Sequence, residues 1–194
     1  MKKTLDLFGR GPLTGCDIYH GNMPFSRLFG DFQIHKATEG VTFNDSDFGA
    51  WCKEYTGYKG AYHFMGKDTL RNWKEQACHF LRVLRENDFS GIVILDLEGT
   101  ALTEAINDPY GVLSFVDFVE SGICRPVFLY TNTFGTNKLD IKFARMPMWI
   151  ASYNKKAPDI NEKFKKEHMN MYKKEYFIWQ YITKPFDLDI ANMT

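Results

Sequence analysis

The chain has 194 residues, which is enough for one domain with a sizeable core and too few for two domains of typical size. Hydrophobic residues make up 44% of it and aromatic residues 16%, a composition that excludes a disordered chain. Basic and acidic residues number 24 each, so the neutral total gives no support to a nucleic-acid or anionic-membrane partner.

Short apolar segments alternate along the chain with longer segments of helical periodicity. Eight segments are predicted to be strands, at 14–19, 31–37, 60–65, 91–97, 125–131, 147–152, 176–182 and 187–191. Helices are predicted between them at 45–56, 67–87, 108–122, 134–144 and 159–175. The alternation predicts a parallel sheet, and eight strands favour a closed barrel.

A full eightfold barrel typically needs about 250 residues, which is more than this chain offers. We therefore expect a single-domain α/β fold, an incomplete TIM-like barrel of about eight strands with roughly five covering helices. Its last strands are expected to lack regular covering helices.

The strongest chemical signal is the segment GIVILDLEGT at 91–100, in which a buried strand runs into Asp96 and Glu98. Residues two apart on a strand share a face, so these carboxylates project together with Cα atoms about 6–7 Å apart. In an α/β barrel, the C-terminal strand ends form the active-site face. Paired carboxylates suit glycoside hydrolysis, which needs one protonated and one ionised acid. A solvated strand end with two surface acids is the functionally neutral alternative.

Further acids lie at other predicted strand ends. Asp17 is near the end of the first strand, and Asp187 and Asp189 lie in the last. If the barrel closes, the first and last strands are neighbours and four acids ring one cleft. Aromatic residues at strand ends include Tyr62, Tyr130, Trp149, Tyr153, Trp179 and Tyr181. Their faces suit a sugar-binding groove because pyranose rings present apolar C–H faces, whereas Phe64 and Phe128 are expected to be core.

The histidines allow a metal interpretation, in which nearby acids would complete the site of a metal-dependent polysaccharide deacetylase. The residues concerned are His20, His35, His63 and His79. No HxxxH or HExxH spacing supports this interpretation, so no metal and no cofactor is expected. His63 is instead expected to be a hydrogen-bonded residue of the barrel interior.

The four cysteines form no CxxC pair and are expected to be reduced, buried and free. They are Cys16, Cys52, Cys78 and Cys124. The N-terminal segment has no apolar run long enough for a signal peptide, and no segment approaches a membrane-spanning length. We therefore expect synthesis in a cytoplasm without a signal peptide, and no membrane insertion.

Seven short motifs occur in order: HKATEG at 35–40, GAYHF at 60–64, ILDLEG at 94–99, FLYTN at 128–132, MWIASY at 148–153, WQY at 179–181 and DLD at 187–189. This series resembles the family 25 glycoside hydrolases, the N,O-diacetylmuramidase lysozymes common among bacteriophage endolysins. The resemblance extends from about residue 14 to 191. It implies an incomplete α/β barrel that cleaves the β-1,4 bond between N-acetylmuramic acid and N-acetylglucosamine in peptidoglycan.

The resemblance also implies roles for individual residues. The general acid falls on Glu98 and its partner on Asp96. Two further aspartates fall on Asp17 and Asp187, with Asp189 as a rival to Asp187. The residues expected to bind substrate are Lys36, Tyr62, Tyr130, Trp149 and Gln180. The run DIYHGN departs from the Ser and Gln-Gly usual after the first aspartate, which leaves the cleft wall beside Asp17 undefined.

We expect a single catalytic muramidase domain over residues 1–194 with no separate cell-wall-binding module. It should act as a monomer on the glycan strand of bacterial peptidoglycan, after release by a holin-like partner. A catalytically inactive carbohydrate-binding barrel is the alternative from another class. Glu98 is expected to have a raised pKa, while the aspartates titrate lower. Inverting and substrate-assisted mechanisms both remain open.

Overall fold

The computed structural model describes residues 13–21, 30–153, 158–182 and 187–191. The strands in these ranges are β1 Leu13–Ile18, β2 Phe32–Glu39, β3 Phe43–Asn44, β4 Tyr58–Phe64, β5 Ile92–Asp96, β6 Val127–Asn132, β7 Met148–Ala151, β8 Ile178–Ile182 and β9 Asp187–Ala191. The helices are α1 Phe48–Glu54, α2 Thr69–Glu86, α3 Gly99–Asn107, α4 Tyr110–Ile123, α5 Thr133–Lys138 and α6 Glu162–Tyr172, with a 3-10 helix at Ile141–Arg145.

The sheet closes into a barrel of eight strands in the order β1-β9-β8-β7-β6-β5-β4-β2, because β1 also pairs with β2. The short β3 extends the sheet beside β2. The prediction of an incomplete TIM-like α/β barrel is therefore confirmed. The helices differ in detail, since α3 was not predicted and the segment predicted at 134–144 divides into α5 and the 3-10 helix.

One strand of the barrel itself contradicts the predicted parallel sheet. Seven barrel strands run parallel to their neighbours, but β9 pairs antiparallel with both β8 and β1. Only four residues separate Ile182 from Asp187. A parallel crossover needs a dozen or more residues, so such a short connection permits antiparallel pairing alone. The expectation that the last strands lack regular covering helices is wrong for β7 and β8, because α6 lies between them.

Side-chain alternation divides the barrel strands into an inner and an outer face. The inner cluster includes Phe32, Ile34, Ile94, Phe128 and Trp149, all buried. The outer cluster packs the sheet against the helices, with α2 and α4 in close mutual contact. The inner cluster fills the barrel beneath the strand ends, so the polar side chains at those ends lie above a layer of closely packed apolar residues.

His63 is hydrogen-bonded as predicted, but it lies outside the barrel rather than inside it. Tyr62 faces inward, so its neighbour on β4 must face the helices, where His63 is fully buried against Phe115. Its Nδ1 lies 2.8 Å from Thr38 Oγ1 and its Nε2 lies 3.2 Å from Gln76 Oε1. Burial lowers the pKa of His63 to about 3, so the ring is neutral and links β2, β4 and α2.

All four cysteines are free, as predicted, but they are not all buried. Cys16 is buried and Cys52 is half-buried, whereas Cys78 on α2 and Cys124 at the end of α4 are exposed. The prediction that Cys78 and Cys124 are buried is wrong, because apolar neighbours in the sequence do not decide which side of a helix faces the sheet. Within the described ranges, no helix combines the length and apolar character needed to span a membrane.

Candidate active site

A cleft of about 280 Å³ opens at the C-terminal ends of the barrel strands. Its walls are formed by Asp17, Tyr19, Lys36, Tyr62, Phe64, Asp96, Glu98, Tyr130, Trp149, Tyr153 and Gln180. Eight of the nine predicted site residues are in this set, and the side chain of the ninth, Asp187, lies outside the described part of the chain. The expectation that Phe64 belongs to the core holds only in part, because its ring packs against the inner apolar cluster and also lines the cleft. It shares the inward face of β4 with Tyr62, and alternation alone could have placed it in the cleft.

Asp96 and Glu98 stand on a rigid segment where β5 meets α3. Asp96 is the last residue of β5, and Glu98 has an extended backbone immediately before α3. The backbone between them is fixed, because Leu97 N donates to Tyr130 O at 2.9 Å and the Leu97 side chain is fully buried on the outer face. Gly99 then turns the chain into the helix with φ of 53°, a conformation that favours glycine. The two carboxyl groups therefore enter the cleft from one short, well-anchored stretch.

The two carboxyl groups differ in burial. Asp96 is 7% exposed, whereas Glu98 is partly open to solvent. Burial raises the pKa of Asp96 well above its ordinary value, and the charges of Glu98 and Asp17 raise it further, against a smaller opposing effect of Lys36. Among the described residues, Asp96 Oδ1 has no hydrogen-bond partner. The expectation that Asp96 titrates low is therefore wrong, because this carboxyl is buried beside two other acids and its Oδ1 has no donor among the described residues.

Gln180 organises the opposite wall of the cleft. Its Nε2 donates to Asp17 Oδ1 at 2.6 Å, and its Oε1 accepts from the hydroxyls of Tyr130 and Tyr153 at 2.6 and 2.7 Å. An ionised Asp17 can only accept, so the amide orientation is set and both tyrosines act as donors to it. Burial raises the pKa of Tyr130, which keeps its hydroxyl protonated. Gln180 is only 2% exposed, so it fixes the positions of its neighbours more than it offers a surface to a ligand.

Asp189 and Asp187 occupy different depths of the barrel. Asp189 is fully buried and accepts from Trp149 Nε1 at 2.8 Å, beneath the cleft. The indole of Trp149 in turn lies 4.3 Å from the ring of Tyr130. The backbone of Asp187 pairs with that of Asp17, at the open end of β1. The register therefore favours Asp187 over Asp189 as the acid of the last strand.

A bulge in β2 shapes the remaining wall. Lys36 pairs with Tyr62 and Thr38 with His63, so Ala37 is an extra residue. The bulge brings Lys36 and Glu39 together, with Nζ and Oε2 separated by 2.5 Å. The Lys36 ammonium also lies 4.9 Å from the ring centre of Phe64. The positively charged ammonium of Lys36 is thus held near the carboxyl groups of the cleft.

The histidines do not converge on a metal site. His20 contacts Asp45, His79 contacts Asn44 and the Gly40 carbonyl, and His35 contacts the Lys36 carbonyl. No set of three or more His, Cys, Asp or Glu side chains suited to a metal ion occurs in the ranges the structure describes. The deacetylase interpretation therefore has no candidate ligand set in that part of the chain.

Comparison with known proteins agrees with this geometry. The family model described as "Glycosyl hydrolases family 25" matches residues 17–188. A curated relative, the "Autolytic lysozyme" of Clostridium acetobutylicum, is 27% identical over 164 residues, covering 78% of this chain and 48% of the relative. The chain thus spans about half the length of that protein.

Two solved structures share the fold. A family 25 glycosyl hydrolase from Bacillus anthracis superposes with a TM-score of 0.73 at 20% identity, covering 92% of this chain and 88% of the other. The bacterial lysozyme of Streptomyces coelicolor gives a TM-score of 0.71 at 21% identity, covering 94% of this chain and 93% of the other. At these identities, the likeness concerns the barrel itself.

Proposed function

Since the chain belongs to glycosyl hydrolases family 25, we propose that it is a peptidoglycan hydrolase of the lysozyme type. The bond cleaved is the β-1,4 linkage between N-acetylmuramic acid and N-acetylglucosamine. The observation that carries this proposal is the pair formed by Asp96 and Glu98, two carboxyl groups from one strand end with unlike environments in one cleft. Such a pair supplies the division of labour that glycoside hydrolysis requires.

Glu98 is the proposed general acid. It is the more exposed of the pair, so its carboxyl can reach the leaving oxygen of a bound glycan. It also lies directly before the first turn of α3, next to the anchored backbone of Leu97, so its position at the cleft is fixed.

Asp96, the more deeply buried of the two acids, is proposed to orient the group that reacts with the sugar, either an N-acetyl group or a water. Asp96 lines the cleft, and its buried Oδ1 has no hydrogen-bond donor among the described residues, so a small shift on substrate binding would let a ligand N–H supply one. Because its pKa is raised, Asp96 also carries a proton over a wider pH range than an ordinary aspartate. An N-acetyl group and a hydrolytic water are both suitable partners for Asp96.

Asp17 and Asp187 are proposed to stabilise the positive charge that develops on the sugar ring. Gln180 holds Asp17 in place at the mouth of β1, and the backbone of Asp187 is its neighbour on β9. Fixed negative charge beside an oxocarbenium-like transition state lowers its energy without reorganisation. Lys36, Tyr62, Tyr130 and Trp149 provide the polar and aromatic contacts to the glycan.

The Glu98→Gln variant tests this assignment, because it keeps the shape of the side chain and removes its titrating proton. General acid catalysis contributes about 10²–10⁴-fold, so the release of reducing ends from purified peptidoglycan should fall by that order. Glu86→Gln, at an exposed position on α2, is the matched control and should retain full activity. Circular dichroism verifies that both variants fold.

Two outcomes would contradict the proposal. Wall hydrolysis near the wild-type rate by Glu98→Gln would remove Glu98 from the role of general acid. Binding of peptidoglycan by the wild-type chain without any release of reducing ends would support an inactive carbohydrate-binding barrel.

We further propose action on the bacterial cell wall as a monomer, since one chain supplies all described walls of the cleft. Release by a holin-like partner stays a prediction from the sequence.

A further inference from the structure

Exposed aromatic side chains continue beyond the cleft on the side of β1 and β3. Tyr19, just after β1, is 48% exposed, and Phe43 on β3 is 38% exposed. The ring of His20 lies between them, 5.7 Å from Tyr19 and 5.5 Å from Phe43 between ring centres. We call Tyr19, His20 and Phe43 the aromatic rim.

The aromatic rim is continuous with the cleft. Tyr19 itself lines the cleft. At the other end, the ammonium of Lys36 lies 5.3 Å from the ring centre of Phe43 and 4.9 Å from the ring centre of Phe64. Both Lys36 and Phe64 line the cleft, so a ligand leaving it on this side would pass directly over the rim.

The rim is held in place by buried polar groups. The carboxylate of Asp45, whose side chain has no exposed surface, accepts from His20 N at 2.8 Å and lies 3.0 Å from His20 Nδ1. On the other side of β3, His79 of α2 contacts Gly40 O at 3.0 Å and Asn44 Oδ1 at 2.6 Å. An apolar surface that is fixed in this way loses little conformational entropy when it binds a ligand.

The size of the cleft supplies the reason for a further subsite. A volume of about 280 Å³ is at the low end for a small-ligand pocket, whereas a glycan strand is a polymer. The strand must therefore leave the cleft over its edge, and flat aromatic rings suit the C–H faces of pyranose rings. Half of the His20 side chain also remains exposed beside these rings, within reach of sugar hydroxyls.

We propose that the aromatic rim is a second sugar-binding subsite, which takes an N-acetylated hexosamine of the same strand beyond the residues held in the cleft. This inference rests on the proposed function, because it assumes that the cleft binds peptidoglycan glycan. Phe43 is the main determinant, since its ring is exposed and lies outside the cleft wall.

The test compares uncross-linked glycan strands of two and of four disaccharide units. In Phe43→Ala, KM for the four-unit strand should rise about tenfold, with kcat and the kinetics on the two-unit strand nearly unchanged. Phe43→Leu keeps apolar bulk without a flat ring, so its KM for the four-unit strand should lie between those of the wild type and Phe43→Ala. Phe43→Trp should bind this strand as tightly as the wild type. Tyr110→Ala is the matched control, because Tyr110 is 65% exposed on α4 and does not line the cleft.

The two proposals fail in different ways. If the wild-type chain cleaves neither strand, the proposed function fails, yet calorimetry can still compare binding of both strands to Glu98→Gln with and without Phe43→Ala. Equal losses on both lengths would contradict the subsite, because they would indicate damage to the cleft. An unchanged affinity for the four-unit strand in Phe43→Ala, measured by kinetics or calorimetry, would also overturn it.

Discussion

Replacing Asp96 by asparagine should stabilise the protein at neutral pH while reducing its activity. Burial, with Glu98 and Asp17 nearby, raises the pKa of Asp96 above the value of an unfolded aspartate. Between these two pKa values the folded state holds a proton that the unfolded chain releases. The free energy of unfolding therefore decreases as the pH rises through this window, and the charged Asp96 destabilises the fold above it.

The magnitude follows from the same linkage. Each unit of pKa difference corresponds to about 1.4 kcal/mol, and a single proton cannot give a slope steeper than about 1.4 kcal/mol per pH unit. Asparagine removes the buried charge, but its amide also needs partners in a place where Oδ1 has none among the described residues. We expect a net gain of about 1–2 kcal/mol at pH 8, the order of one buried unsatisfied polar group. Below about pH 3 the carboxyl is protonated in both states, so the part of the gain that comes from removing the charge should vanish.

Urea unfolding of the wild type and of Asp96→Asn at a series of pH values between 4 and 8 measures this difference directly. Asp159→Asn removes an exposed carboxyl group and serves as the matched control for the loss of one acid. A difference between Asp96→Asn and the wild type that stays constant from pH 4 to pH 8 would refute the reasoning. It would mean that asparagine changes packing and that the carboxyl titrates alike in both states.

Two further predictions concern the thiols and metal dependence. In native protein, a thiol reagent should react quickly with the exposed Cys78 and Cys124 and slowly with Cys16 and Cys52, the latter because burial raises its pKa to about 11. Four fast thiols, or fewer than four after denaturation without reductant, would contradict this. Dialysis against EDTA should leave hydrolysis of purified peptidoglycan unchanged, because carboxyl groups supply both the proton and the charge. Activity that is lost on chelation and restored by zinc would favour the deacetylase alternative.

Much of the barrel was predictable because each strand carries its own short-range signal. The alternation around Asp96 and Glu98 predicts a shared face, and both residues line the cleft where β5 meets α3. The direction of β9 could also have been deduced, since four residues cannot form a parallel crossover. Helix α3 was missed because a glycine at its first position indicates a break when the sequence is taken alone.

The electrostatics of the site could not be predicted in the same way. Sequence spacing places Asp96 and Glu98 on one face but does not indicate which lies deeper, and this depth decides which pKa burial raises. The contact of Gln180 with Asp17 joins positions 163 residues apart, and no local pattern encodes it. The side of β4 that His63 occupies follows from alternation, because its neighbour Tyr62 belongs to the inner cluster.

The antiparallel strand β9 also has a consequence for how the chain folds. It joins β8 to β1, so the ring closes through a pairing of strands from opposite ends of the described chain. Contacts between segments so distant in sequence form slowly, because the entropy of closing a long loop must be overcome first. Until that pairing forms, β1 and β8 each present an open edge of unpaired backbone groups, which can pair with another molecule. Refolding at high concentration therefore carries a risk of strand exchange between chains at this seam, away from the helices that cover the rest of the barrel.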